Sequence, residues 1–219
     1  MLAIFRKEIS SFLSSLVGYV VMGVFLSALG LLLWVFPDTS VLNYGYAELG
    51  AFFSLSPYVF LFLAPAITMR TFAEERRSGT LELLLTKPLT DWALVLGKFL
   101  ACWALIFLTL LPTLVYYASV YQLGNPAGNL DSAAVASSYL GLLLLGGVFA
   151  AIGLATSALT DSQIVAFLLA VFVCFLLYVG LGALAGLDGL GGAGYWLGQL
   201  GLDAQYNALG RGLVDSRNV

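Results

Sequence analysis

Five apolar runs, each of twenty residues or more, occupy most of this chain, and charge is nearly absent from them. They lie at residues 12–36, 49–69, 92–120, 134–159 and 164–187. A hydrocarbon core about 30 Å thick is crossed by roughly 20 helical residues rising about 1.5 Å each, so every run is long enough to span a bilayer. The runs are continuous rather than alternating, which argues against the strands of a β-barrel. An all-α polytopic membrane protein is therefore expected. Composition agrees: of 219 residues, 61% are hydrophobic and 10% charged, against about a quarter charged in a water-soluble domain. The net charge of −3 says little about partners, because in a membrane protein charge acts by position.

Residues 1–11 pattern as an amphipathic interface helix, with Leu2, Phe5 and Ile9 on one side and Arg6, Lys7 and Glu8 on another. The run that follows continues to Phe36, longer than a signal-peptide core, and is expected to remain as the first span. Pro57 and Pro65 in the second run, and Pro112 in the third, mark sites where a helix loses a backbone donor and kinks. Thr90 and Asp91 are cap candidates for the third span. Lys98, within its first two turns, is expected to snorkel to the interface. Gly147, Ala151 and Ala155 form a small-residue face at four-residue spacing in the fourth span. The short turn 160–163 makes spans 4 and 5 a hairpin. From 188 to 219 the glycines interrupt the apolar character, and a re-entrant or interfacial pair is expected there, with Tyr195 and Trp196 as interface residues.

Several kinds of chemistry lack their parts. Histidine is absent, and Cys102 and Cys174 each lie inside an apolar run, so neither a zinc or haem site nor a disulfide framework is expected. The serines Ser54, Ser56, Ser137, Ser138 and Ser157 have no base to activate them, which argues against an intramembrane enzyme. Titratable groups at midplane depth, which an ion-coupled transporter requires, are missing as well. The chain has no nucleic-acid footprint, and no phosphate-binding G-x-x-x-x-G-K-[ST] loop occurs in it, so no cofactor is expected.

What charge there is gathers at residues 70–91, between the second and third runs. Arg70 and Glu74 (i, i+4) and Glu74 and Arg77 (i, i+3) are spaced to pair along one helical face. Ser78-Gly79-Thr80 breaks that helix and starts another, where Glu82 suits the first turn and Leu81, Leu84 and Leu85 share a side. Two short helices joined by a bend are expected. With the N-terminus cytoplasmic, Arg6, Lys7, Arg70, Arg76, Arg77, Lys87 and Lys98 fall on the cytoplasmic side, leaving Arg211 and Arg217 outside.

The string Phe72-Ala73-Glu74-Glu75-Arg76-Arg77-Ser78-Gly79-Thr80-Leu81-Glu82, followed by Lys87-Pro88-Leu89 and Gly97-Lys98, resembles the segment between two spans of ABC-2 type transporter permeases. The glycine-rich tail ending Arg211-Gly212-Leu213-Val214-Asp215-Ser216-Arg217 is similar to the gliding-motility-associated permease subfamily. The resemblance implies a permease subunit of a bacterial exporter in the cytoplasmic membrane. In that reading 70–91 is a coupling helix docking on a separate ATPase subunit, with Glu74, Glu75, Arg76, Arg77, Gly79 and Thr80 in the contact and Asp161 in a second cytoplasmic turn. ATP and magnesium would be bound by a cytoplasmic ATPase dimer. The further partner would be a second permease, either an identical copy or a relative with a large extracytoplasmic domain. The resemblance also implies a sixth span, which these 219 residues do not contain, and a histidine where Gln205 stands. A non-transporting membrane scaffold of a motility or cell-envelope machine is the alternative, and substrate flux separates the two.

Overall fold

A computed structural model of the chain describes residues 1–42, 48–86, 90–126, 128–186, 196 and 198–210, with the backbone alone for 83–85. These residues form helices and turns, with no strand among them. Helix α1 (Leu2–Leu13) is followed after a break at Ser14 and Ser15 by α2 (Leu16–Trp34). Next come α3 (Gly50–Thr68), the short α4 (Ala73–Arg77) and α5 (Thr80–Leu85). The third long helix is α6 (Asp91–Leu110), which passes through a 3-10 turn at Leu111–Thr113 into α7 (Leu114–Leu123). Pro112 sits in that turn and accounts for it, because proline supplies no amide to continue the α-helical ladder. Helices α8 (Ser132–Leu159) and α9 (Gln163–Phe175) form a hairpin. A π-helical turn, Leu176–Gly180, then leads to α10 (Leu181–Ala185). Helix α11 (Leu202–Gly210) is the last described element. Among the described residues five stretches, Leu16–Trp34, Gly50–Arg77 (α3, a turn and α4), Asp91–Leu123, Ser132–Leu159 and Gln163–Ala185, are long and apolar enough to cross a membrane.

Helix α3 occupies the middle of the bundle and packs on α2, α6, α8 and α9. Its Phe52, Phe60, Ala64 and Ile67 are buried against Phe25, Ile106, Leu142 and Phe149 of those neighbours, in one continuous apolar core. The close approach of α3 and α8 depends on a stripe of small residues, Gly146, Ala150, Gly153 and Ser157, all buried. This stripe is not the one expected. Ala151 and Ala155 are exposed, while Gly147 is buried beside the Trp103 indole. The packing face is turned by about one residue, or roughly 100° of helix. At Gly153 an added Cβ would run into Thr68 Oγ1, so this crossing admits glycine alone.

Helix α3 runs through both of its prolines without ending. Pro57 removes the amide that would bond to the Phe53 carbonyl, and the Tyr206 hydroxyl of α11 donates to that oxygen at 2.7 Å. The carbonyl freed by Pro57 is thus satisfied by a helix 153 residues away in sequence. Helix α11 lies against α8 and the π turn. There an added Cβ on Gly141 would touch Leu209 and Tyr206. Much of the expected re-entrant segment, including Gly189, Gly191, Gly192, Gly194 and Tyr195, lies outside the described residues, as do Lys87, Pro88, Leu89 and the tail from Arg211 to Arg217. The orientation of Leu84 and Leu85 lies outside them too.

Candidate functional site

The charged end of the bundle is built where α1, the segment 69–86, the start of α6 and the α8–α9 turn come together. Its inner part is a network of four charges. Lys98 stands two turns into α6 with a side chain that is 0% exposed. A helical side chain leans toward the N-terminus of its helix, which carries this ammonium to the charged end. Protein groups receive it there rather than water. Lys98 Nζ donates to Glu8 Oε1 at 2.9 Å and to the Thr71 carbonyl at 2.7 Å. Glu75 Oε2 is also 2.9 Å away, as an ion pair outside hydrogen-bond alignment. The Phe72 ring closes the site, its centroid 4.9 Å from Nζ. Lys98 was expected to snorkel to the interface: its stem points to the charged end, and there its ammonium is enclosed by carboxylates rather than exposed.

Lys7 completes the network, 2.6 Å from Glu75 Oε1 and 3.6 Å from Glu8 Oε1. Burial alone would pull the Lys7 ammonium down. The hydrogen bond and charge of Glu75, joined by Glu8, outweigh it, so Lys7 titrates above the usual lysine value of 10.5. Two carboxylates and two ammonium groups balance, which is what a low-dielectric site requires. Glu8 reaches inward because it lies on the same stripe of α1 as Ile4 and Phe12, both buried. That stripe differs from the expected Leu2, Phe5 and Ile9: Leu2 is exposed and the other two are half-buried. A cavity of about 240 Å³ borders the network, with Lys7, Glu8, Arg70 and Glu74 at its wall and Ala101 and Cys102 on its floor.

Around this network the polar segment is fastened at two more places. The Ser157 hydroxyl of α8 accepts from the amides of Phe72 and Ala73, both at 3.1 Å, and donates to the Met69 carbonyl at 3.0 Å. It therefore caps α4 from another helix, meeting amides that a helix start leaves without partners. Arg76 reaches the same hairpin, donating from Nη1 to the Ala158 carbonyl at 2.8 Å and pairing through Nε with Asp161 Oδ1 at 3.3 Å. Arg70 pairs with Glu74 at 3.0 Å and donates to Ser15 Oγ at 3.0 Å, which ties the segment to the break between α1 and α2.

The bend between α4 and α5 is set by Gly79, whose φ of +69° favours glycine. Ser78 Oγ donates to the Glu74 carbonyl at 2.8 Å and lies 2.9 Å from Thr80 Oγ1. Of the residues singled out in the sequence, Glu74, Arg76, Arg77, Gly79 and Thr80 are exposed on the outward side, and Asp161 is exposed beside Arg76. Glu75 is turned the other way, its side chain 10% exposed. Lys7, Glu8, Lys98 and Ser157 were not picked out as site residues. The legible signal for Glu8 was a charge on the Ile4–Phe12 stripe of α1.

The arrangement is a short helix pair with a rigidly held inner face and a free, polar outer face. Residues 38–200 match the family model described as ABC-2 family transporter protein. No curated protein and no solved structure matches the chain.

Proposed function

The chain belongs to the ABC-2 family of transporter proteins, and from that premise we propose that it is the permease subunit of a bacterial exporter driven by a separate ATPase through the outer face of α4 and α5. One observation carries this reading. The segment between the second and third spans is tied to the bundle by Ser157 and Lys98 on its inner side and by Asp161 at its edge, while Glu74, Arg77, Gly79 and Thr80 are exposed. A displacement imposed on that face by a partner passes into the bundle rather than being absorbed by a loose loop. In this reading Glu74, Arg76, Arg77, Gly79 and Thr80 make the contact with an ATPase dimer that carries ATP and magnesium, Asp161 flanks it, and Glu75 holds the face in place.

The charged end is cytoplasmic in this account, since it collects Arg6, Lys7, Arg70, Arg76, Arg77 and Lys98. A second permease, a relative with a large outer domain or a second copy, lies against α2 and α9. Those two spans carry exposed Val17, Val20, Val24, Leu168 and Phe172. The gliding-motility subfamily fits the glycine-rich tail. Affinity purification from native membranes in mild detergent, followed by mass spectrometry, tests the proposal. Recovery of a nucleotide-binding subunit and a second permease is expected. Recovery of envelope components without any ATPase, where other membrane complexes survive intact, would favour the scaffold instead.

A further inference from the structure

Three separate elements meet at one ammonium group. Lys98 belongs to α6, Glu8 to α1 and Glu75 to α4, and Thr71 precedes α4. The contacts span 90 residues of sequence to Glu8 and 27 to Thr71. Within α4 the buried side chains are the small apolar Ala73 and the charged Glu75, so Glu75 is the one long side chain by which this helix reaches inward. We propose that Lys98 is the positioning residue of the polar segment, an internal cation that locks α4 to the interface helix and to the third span so that the three move as one body. The inference rests on the reading of α4 and α5 as the ATPase contact and deepens it, by naming what fixes the docking face.

The charge of Lys98, and not its bulk, does the locking. Glu8 Oε1 and Glu75 Oε2 both lie 2.9 Å from Nζ. Without that cation the two carboxylates repel across a buried site, with Lys7 left to serve both. Methionine fills a similar volume and satisfies neither the two acceptors, Glu8 Oε1 and the Thr71 carbonyl, nor the Glu75 charge. Arginine keeps the charge and adds donors. The lock differs from the Ser157 cap, which would survive in either variant and would keep α4 helical.

Hydrogen–deuterium exchange on the full chain in lipid nanodiscs, with no ATPase present, tests this. Lys98→Met is expected to speed exchange of the 71–79 amides about tenfold or more, with α3 and α8 amides unchanged, and Lys98→Arg to keep protection within about twofold of wild type. The triple variant Glu8→Gln, Glu75→Gln, Lys98→Met removes both buried carboxylates together with the cation and leaves Lys7, whose side chain is half exposed, so it is expected to fold even where Lys98→Met does not. It too is expected to lose protection at 71–79. Wild-type exchange in the triple variant, or equal loss in Lys98→Arg and Lys98→Met, would overturn the proposal. Failure to recover an ATPase leaves this measurement untouched, so the two readings fail separately.

Discussion

Glu75 and Arg77 are two residues apart in one short helix and face opposite ways, so the same kind of substitution has different consequences at each. Glu75→Lys would set a third ammonium beside Lys7 and Lys98 in a site that holds Glu8 as its remaining carboxylate. Breaking a buried pair in this way costs about 3–5 kcal/mol. The expected outcome is a sharp fall in folded yield, read by size-exclusion chromatography in detergent. Arg77→Glu changes an exposed side chain and is expected to leave yield and thermal unfolding unaltered while weakening ATPase recovery. Ser157→Ala strands the amides of Phe72 and Ala73. An unsatisfied buried donor costs about 1–3 kcal/mol, so a lower unfolding temperature is expected. The tie between Lys7 and Glu75 has a pH signature. Because Lys7 is raised above 10.5 in the folded chain, its contribution is complete below that pH and is lost as pH climbs through the raised value. The interface helix is thus held across the physiological range. At this scale the sequence disclosed the residue types but not their partners. Lys98 pointed toward the charged end as a helical side chain must, yet Glu8 lies 90 residues away, and no local pattern relates the two.

Among the elements, span lengths were the most legible feature, because bilayer thickness sets them and apolar runs report them directly. Helix faces were less so. Gly147, Ala151 and Ala155 satisfy the same four-residue spacing as the stripe through Gly146 and Ala150, and spacing alone does not choose between adjacent faces of an apolar helix. The choice is made by the partner: α3 presents Thr68 at a point where only Gly153 leaves space. Gly153→Val is expected to force α3 and α8 apart and lower the unfolding temperature by several degrees, whereas Ala155→Val, on an exposed face, is expected to change it little. The donor missing at Pro57 was legible, and its remedy was not, since Tyr206 lies 153 residues from Phe53 in sequence. Tyr206→Phe removes the hydrogen bond to the Phe53 carbonyl. About 1 kcal/mol of stability is expected to go with it, together with faster exchange in α11.

As a whole the molecule divides into an apolar bundle and a polar plate fixed to one end of it. Among the described residues the plate is joined to the bundle by four fastenings: the Ser157 cap, the Arg76–Asp161 pair, the Arg70–Ser15 hydrogen bond and the Lys98 network. Together they leave its outer surface free. In the proposed orientation the plate is cytoplasmic and the opposite end of the bundle faces out. With Arg77→Cys or Leu123→Cys in a background lacking Cys102 and Cys174, a membrane-impermeant thiol reagent is expected to label position 123 in intact cells. Position 77 should react only after permeabilisation. The account as a whole stands on the claim that an ATPase docks on the outer face of α4 and α5. A photo-crosslinking amino acid replacing Arg77, activated in native membranes, tests it most directly. The account predicts a crosslink to a nucleotide-binding subunit from position 77 and none from position 123. Crosslinks to lipid or to envelope proteins alone at position 77, with the ATPase present in the same membranes, would contradict it.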